Sequence, residues 1–329
     1  MNLKPRLVSG IQPTGKMHLG NYWGAIHNWV QLQQEYDAFF LIVDLHSLTT
    51  IYQDSRNLRE DKLELAVDLL ASGVDPEKCC LFFQSDILQH GELHVVLSMI
   101  TPLGWLLRVP TYKSKIENLQ DKNLDTYGFL GYPVLMTADM LLYKAQVVPV
   151  GRDQLPHLEL AREITRRFNH LFGVVFSEPE EKLTEVPVLP GLDGRKMSKS
   201  YGNTIPLSAS ADDISRLMLK MMTDPQRARR TDPGRPEMCP VYAFHTLYSA
   251  PDVIAEVKVG CETAAIGCID CKRRCAASIN LQLGPFREKR DYWVRHTDQV
   301  EDILAQGAKR ASRVATDTMA EVKAAVGLL

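Results

Sequence analysis

No stretch of this 329-residue chain approaches the roughly 20 consecutive apolar residues that a membrane helix requires. The opening MNLKPRLVSGIQPTGKMHLG lacks the continuous apolar run of a secretory signal, so a cytoplasmic protein is expected. Low-complexity tracts and internal repeats are missing too, which excludes fibrous, solenoid and disordered classes. Charge of one sign is also lacking. With a formal net charge of −2, the chain as a whole does not bind nucleic acid by bulk electrostatics. Cysteines are scarce, 7 in all, and unevenly placed. Cys79 and Cys80 fall in the apolar run CCLFFQ and read as small core residues. Cys239, Cys261, Cys268, Cys271 and Cys275 crowd into one C-terminal stretch, and in a cytosolic chain such a cluster suggests a metal or iron–sulfur site more than disulfides.

What is present divides near residue 205. Before it, short apolar runs alternate with helical patterns. AFFLIVD (38–44), CCLFFQS (79–85) and QVVPVG (146–151) read as buried parallel strands. Between the first two, Asp54 or Ser55 can cap a helix that carries Leu58, Leu65 and Leu69 on one face and ends at Gly73. A further helix is expected from about Asp153 to Phe168. This alternation predicts an α/β fold with a doubly wound parallel sheet of Rossmann type. Ligands in such sheets sit at the carboxyl ends of the strands. After residue 205 every segment reads as helix, so the expected division is 1–205 and an all-helical 206–329. Two basic stretches in the second part, QRARRTDPGR (226–235) and residues 271–295, are either solvated faces or a local footprint for a phosphate backbone.

Two segments carry chemistry. In GRKMSKSYGN, Lys196 and Lys199 lie on a loop of glycines and hydroxyls, which suits either plain surface or a polyanion site. In GIQPTGKMHLGNYWGA, Gly10, Gly15 and Gly20 permit close backbone approach just where a helix opens, and a helix N-terminus attracts anions. His18 sits one turn before that helix settles. Either segment alone is weak; the pair, about 180 residues apart, is not.

PTGKMHLGN resembles the first signature of class I aminoacyl-tRNA synthetases, and KMSKS is their second. The longer phrases LIVDLHSLT, RVPTYK, YPVLMTADMLLY, VPVGRDQLPHLELAREITRRFN and LDGRKMSKSYGNTI are similar to the tryptophanyl-tRNA synthetases of bacteria, over nearly the whole chain. The resemblance implies carboxylate attack on the α-phosphorus of ATP, carried with Mg2+, followed by transfer to tRNA(Trp) by a homodimer. His18, Lys196 and Lys199 would be catalytic. Gln12, Pro13, Thr14, Gly20, Asn21, Lys113, Gly151, Arg152, Asp153, Met197, Ser198 and Ser200 would complete the ATP site. Lys113 reads equally as an exposed lysine. Two departures stand out: Asn21 replaces the second histidine of the first signature, and Arg152 stands where many members carry Glu.

Selectivity is expected from GYPVLMTADMLLY. On a helix Tyr132, Met136 and Asp139 share one face. A buried carboxylate there needs a donor, and the resemblance implies an indole N–H. His46, Gln154, Val148 and Val150 would complete the tryptophan pocket, although His46 reads equally as structural. The tyrosyl relatives typically have Gln at the place of Met136. Finally, Cys239, Cys261, Cys268 and Cys271 have the spacing C-x21-C-x6-C-x2-C. That is one residue shorter than the spacing that holds a 4Fe–4S cluster in a subset of the resembling family. Zn2+ and unligated thiols remain open alternatives, and Cys275 is spare. Tyrosine activation, small-molecule adenylyl transfer and a non-catalytic paralogue are the rival readings. Met136 argues against the first, the basic helical part against the second, and intact His18, Lys196 and Lys199 against the third.

Overall fold

The structure, a computed structural model, describes residues 4–112, 124–183 and 189–329. Its centre is a parallel sheet of β1 (Arg6–Ile11), β2 (Asp37–Ile42), β3 (Cys79–Phe83), β4 (Val147–Val150) and β5 (Glu180–Leu183), in the order β3-β2-β1-β4-β5. This is the doubly wound arrangement that the alternating pattern implies. Strands β2 and β3 bury both faces, as in DAFFLI of β2, where only the first residue is exposed. Fifth in the sheet, β5 has no counterpart among the expected strands. Its sequence EEKL is charged and mostly exposed, as befits an edge strand that repels other edges, and it pairs with β4 from Val147↔Glu180 to Val150↔Leu183.

Helices cover both faces. A short helix α1 (Leu19–Asn21) runs through a π-helical turn, Tyr22–Ile26, into α2 (His27–Leu32). Further helices are α3 (Asp44–Ile51), α4 (Leu58–Ala71), α5 (Gln89–Ile100), α6 (Leu103–Leu106), α7 (Tyr127–Leu142) and α8 (Leu155–Phe172). In α4 the N-cap is Asn57, not Asp54 or Ser55, and its side chain caps nothing; the Ser55 carbonyl accepts from the Leu58 N–H instead. After β5 come α9 (Ala211–Lys220), α10 (Pro240–Tyr248), α11 (Pro251–Glu262), α12 (Cys268–Arg295) and α13 (Thr297–Ala325). Prolines open α10 and α11 at the position where a missing N–H costs nothing. None of the described helices is long and apolar enough to cross a membrane.

The C-terminal helices are tied back to the sheet. Arg290 of α12 donates to Asp68 at 2.7 Å and Glu64 at 2.6 Å, both on α4. Helix α13 lies directly on β3, with Gly307, Ala311 and Ala315 forming a small-residue stripe. The Gly307 carbonyl accepts from the Cys80 thiol at 3.0 Å. A Cβ at Gly307 would stand 1.9 Å from the carbonyl oxygen of Leu81, which is backbone and cannot yield. Gly307→Val should therefore overpack this joint and cost at least about 1–3 kcal/mol. The check is the urea midpoint at unchanged slope. A midpoint equal to that of the parent chain would show that α13 is free to ride away from the sheet.

Candidate functional site

The sheet opens where its winding reverses. β1 and β4 pair in parallel at Leu7↔Val147, and the ladder goes no further. Val8, Ser9 and Gly10 of β1 then part from Val148, Pro149 and Val150 of β4, and a cavity of about 350 Å3 fills the wedge. Pro149 has no N–H with which to continue the ladder toward β1. The volume suits a small organic ligand, for which pockets run from roughly 300 Å3 upward.

Seven side chains expected near one another all line this cavity: His46, Tyr132, Met136, Asp139, Val148, Val150 and Gln154. Helix α7 supplies three of them, Tyr132, Met136 and Asp139, on one face as its period requires. Asp139 is buried, yet it is not left unpaired. Its Oδ2 lies 2.9 Å from His46 Nε2, its Oδ1 accepts from Gln84 Nε2 at 2.7 Å, and His90 Nδ1 is 2.7 Å from the same oxygen. Burial alone would raise this carboxyl; the contacts from His46 and His90 outweigh it and hold the group down at about 2. The carboxylate is a fixed negative charge inside a largely apolar wall. Thr111 and His157 also line the cavity, in addition to the expected set. Thr111 Oγ1 lies 2.9 Å from the Tyr132 hydroxyl and 2.7 Å from His157 Nε2. Nothing in their local sequence marks them, because the three meet only through folding.

Gln12 also lines a second, smaller cavity of about 180 Å3, together with Thr14, Gly15, His18, Asn21, Ser198 and Lys199. The two signature segments meet here through backbone pairing. Leu19 N–H donates to the Ile205 carbonyl at 3.0 Å, and Leu207 N–H to Met17 at 2.8 Å. His18 is the N-cap of α1: its Nδ1 accepts from Asn21 N–H at 3.2 Å while Asn21 Oδ1 accepts from His18 N–H. Burial, aided by the nearby Lys199 charge, lowers the His18 pKa to about 4. The ring is therefore neutral at ordinary pH, and with Nδ1 accepting, its one proton sits on Nε2.

Lys199 Nζ donates to the carbonyls of Thr14 at 2.7 Å and Gly15 at 2.8 Å. Its stem is open to solvent, but loss of water around the ammonium lowers its pKa to about 8, opposed by Asp61 and Asp68. The loop itself is organised by Asn203, a residue of the same segment to which its sequence assigns no role. Asn203 Oδ1 accepts from Ser198 N–H at 2.9 Å, and its amide donates to Asp193 at 2.7 Å and the Lys196 carbonyl at 3.2 Å. Gly191 leaves room for it, since a Cβ there would stand 2.2 Å from that amide nitrogen. Lys196 is exposed, Met197 is buried, and Ser200 continues the loop in a short 3-10 turn with Lys199. Pro13 is buried beneath the first loop, and Gly20 lies 3.0 Å, by its would-be Cβ, from His18 Nδ1. Gly151, Arg152 and Asp153 form the turn between β4 and α8, at the carboxyl end of the sheet. Lys113 lies outside the described residues.

The cysteine quartet is a neighbourhood rather than a formed site. Cys239 precedes α10, Cys261 is near the end of α11, and Cys268 and Cys271 open α12. Arg227 Nη1 points at Cys261 Sγ from 3.7 Å, and His245 Nε2 lies 3.5 Å from Cys271 Sγ. Burial, together with the other three thiols, pushes Cys271 up to about 12. Among the described residues no group of three or more Cys, His, Asp or Glu is arranged to hold a metal ion. The arginine stretches are also less free than their sequence suggests. Arg227 is buried and donates to the Arg230 and Ile266 carbonyls, Arg235 pairs with Asp224, and Arg290 is committed to α4.

A doubly wound sheet with a cavity at its switch point, flanked by a glycine-rich βα turn and a lysine, defines a Rossmann-type nucleotide-binding fold. The chain belongs to the family described as tRNA synthetases class I (W and Y), whose model matches residues 2–284. It is 48% identical to the tryptophan–tRNA ligase of Thermotoga maritima, with 98% of this chain and 99% of that protein covered. It is 39% identical to the tryptophan–tRNA ligase of Aquifex aeolicus, covering 98% of this chain and 100% of that one. Among solved structures, tryptophanyl-tRNA synthetase from Campylobacter jejuni complexed with ADP and tryptophan superposes with a TM-score of 0.89 at 33% identity, over 98% of this chain and 99% of that chain.

Proposed function

We infer that this chain is a tryptophan–tRNA ligase: it joins L-tryptophan to the adenylate of ATP with release of pyrophosphate, and passes the tryptophanyl group to tRNA(Trp) with release of AMP. The observation that carries the inference is the buried Asp139 carboxylate in a cavity that shares Gln12 with the lysine-and-histidine cavity. An indole ring fits the wall of Met136, Val148 and Val150, and its N–H meets Asp139; His46, Tyr132 and Gln154 close the pocket. The amino acid's carboxylate then lies toward Gln12. One of its oxygens bonds to the α-phosphorus of ATP, the bond to the β-phosphate oxygen breaks, and the electron pair leaves with pyrophosphate. His18, through its Nε2–H, with Thr14, Gly20 and Asn21 in the loop above the buried Pro13, would hold the phosphate chain, which carries Mg2+, from one side. Lys196, Met197, Ser198, Lys199 and Ser200 close from the other, and the lysine charges count most as pyrophosphate departs. Gly151, Arg152 and Asp153 take the nucleoside, with Lys113 toward the phosphates. Residues 1–205 form the catalytic part and 206–329 the part that meets tRNA, in the cytoplasm. Exposed Leu88, Val95, Met99 and Leu103 offer an apolar face for a second copy.

Four thiols from three neighbouring segments are a donor set of the kind taken by either Zn2+ or a 4Fe–4S cluster, and of the two we propose the cluster. Cys239, Cys261, Cys268 and Cys271 would hold it and Arg227 would offset its charge. The cluster would supply rigidity where helices α10, α11 and α12 meet.

Three outcomes are expected. ATP–pyrophosphate exchange should proceed with tryptophan and with none of the other amino acids; exchange with tyrosine at a similar rate would end the assignment. Lys199 is charged below its pKa of about 8 and loses that charge as pH rises through it. The kcat/KM for ATP, which reports the free enzyme, should therefore fall above about pH 8. In Lys199→Arg the same limb should vanish, since a guanidinium stays charged; a limb common to both would assign it elsewhere. Finally, anaerobically purified protein should be brown, with sulfide in proportion to iron, and Cys268→Ser should remove the colour while Cys275→Ser keeps it. Colourless protein with stoichiometric zinc would overturn the cluster alone.

A further inference from the structure

Behind Asp139, away from the cavity, lies a second layer of polar groups that the reaction does not touch. His90, near the start of α5, and Tyr143, just past the end of α7, are both fully buried, and neither lines the cavity. His90 Nδ1 stands 2.7 Å from Asp139 Oδ1, a close polar contact whose angle falls outside that of a regular hydrogen bond. On the other side of the ring, His90 Nε2 is 2.7 Å from the Tyr143 hydroxyl. The tyrosine is itself locked, stacked on Phe39 at 4.9 Å and edge-on to Phe82 at 5.6 Å.

The proton positions follow from these contacts. An ionised carboxylate offers only lone pairs, so the ring nitrogen 2.7 Å from it must carry the hydrogen. Nε2 is then the acceptor and the Tyr143 hydroxyl the donor. Protonating both ring nitrogens would leave the hydroxyl proton facing another N–H. Its hydrogen-bond partner among the described residues is His90, so that arrangement would strand a buried donor. The tyrosine therefore selects one tautomer of the histidine, and the histidine aims an N–H toward the carboxylate. Gln84 and His46 supply two more donors. A carboxylate has about four acceptor positions, and these three neighbours leave room for one more donor, on the side of the cavity. Other titratable groups that feel this network are His94, through Asp139 and His46, and Cys80, beside Tyr143.

We propose that His90 and Tyr143 are positioning residues for amino-acid selection: they hold Asp139 ionised and oriented so that it accepts one ring N–H and rejects ring systems without that donor. The proposal rests on the tryptophan reading above and extends it to two residues that never meet the substrate. A site built to satisfy a particular N–H discriminates strongly because the wrong ligand leaves its own polar group unpaired. Loosening the carboxylate lets it find another donor, so selectivity falls before general binding does.

The experiment compares L-tryptophan with benzothienyl-L-alanine, in which sulfur replaces the ring N–H at nearly equal shape. Steady-state pyrophosphate exchange is measured for the parent chain, Tyr143→Phe, His90→Leu and His90→Asn, with thermal melting as a check on folding. In Tyr143→Phe the KM for tryptophan should rise about 10-fold with kcat nearly unchanged, while the KM for the sulfur analogue moves less than about twofold. His90→Leu should lose about 100-fold in the ratio of the two, and His90→Asn, which keeps a donor near the Nδ1 position, should recover most of it. Should both amino acids weaken equally in folded variants, or kcat fall at constant ratio, the two residues are core packing and the proposal is wrong. A parent chain that exchanges nothing with tryptophan would instead overturn the functional reading itself, and this inference with it.

Discussion

Everything in the site depends on the parting of β1 and β4. Parallel strands held by a full ladder would leave no room between Gly10 and Val150. Because pairing stops at Leu7↔Val147, the strand ends diverge and their side chains face a cavity rather than each other. The neighbours on either side do not part: β1 pairs with β2 along all six residues and β4 with β5 along all four. The wedge is thus rigid on both flanks. Helix α7 then covers it with a face that is apolar except at Asp139, and the βα turn after β1 brings His18 to the wedge's outer rim. A single interrupted ladder sets both the larger cavity and its junction with the smaller one at Gln12.

The parts of this arrangement legible in the sequence are those governed by short-range rules. Strands β2, β3 and β4 announce themselves as apolar runs, and the helical period by itself places Tyr132, Met136 and Asp139 on one face. β5 is not legible, because an edge strand made of EEKL carries the charges that keep it from aggregating and so hides its own pattern. The cap of α4 escapes for a related reason: several polar residues compete there, and a backbone carbonyl serves instead of a side chain. Gln84, His90, Thr111, Tyr143 and His157 are beyond reach. Each is unremarkable among its sequence neighbours, and each has its role fixed by a partner on another element. Charge density misleads in the C-terminal part, since an arginine counted as surface charge can be a structural donor, as Arg227 and Arg290 are.

The helical part is bound to the sheet domain by contacts of two kinds, and they differ in what they specify. The Gly307 approach to Leu81 is steric and admits one depth of packing. The Arg290 contacts with Asp68 and Glu64 are ionic, and a buried ion pair contributes little net stability once desolvation is counted. Their value lies in orientation: an arginine forced off Asp68 would leave a buried carboxylate with no counter-charge, so α12 has one favoured register on α4. The lysine loop feels the same carboxylate, because Asp68 is one of two acids that favour the charged form of Lys199.

Two opposite charges line the two cavities, and their surroundings differ as their proposed tasks do. Asp139 is buried and surrounded by polar groups from three elements, whose contacts favour its ionised form. A group held in this way suits the proposed selection among amino acids, because it accepts one kind of donor and disfavours ligands without it. Among the described residues, Lys199 is held by two backbone carbonyls, and no carboxylate lies within hydrogen-bonding distance of its ammonium. Burial strips water from the ammonium and lowers its pKa to about 8. On the proposed reading, a phosphate chain in the cavity beside it would replace two neutral dipoles with a charged partner, and the gain would be greatest when negative charge on the departing group is greatest. The enclosed charge would then give discrimination and the loosely held one rate, and the fold keeps them apart on either side of Gln12.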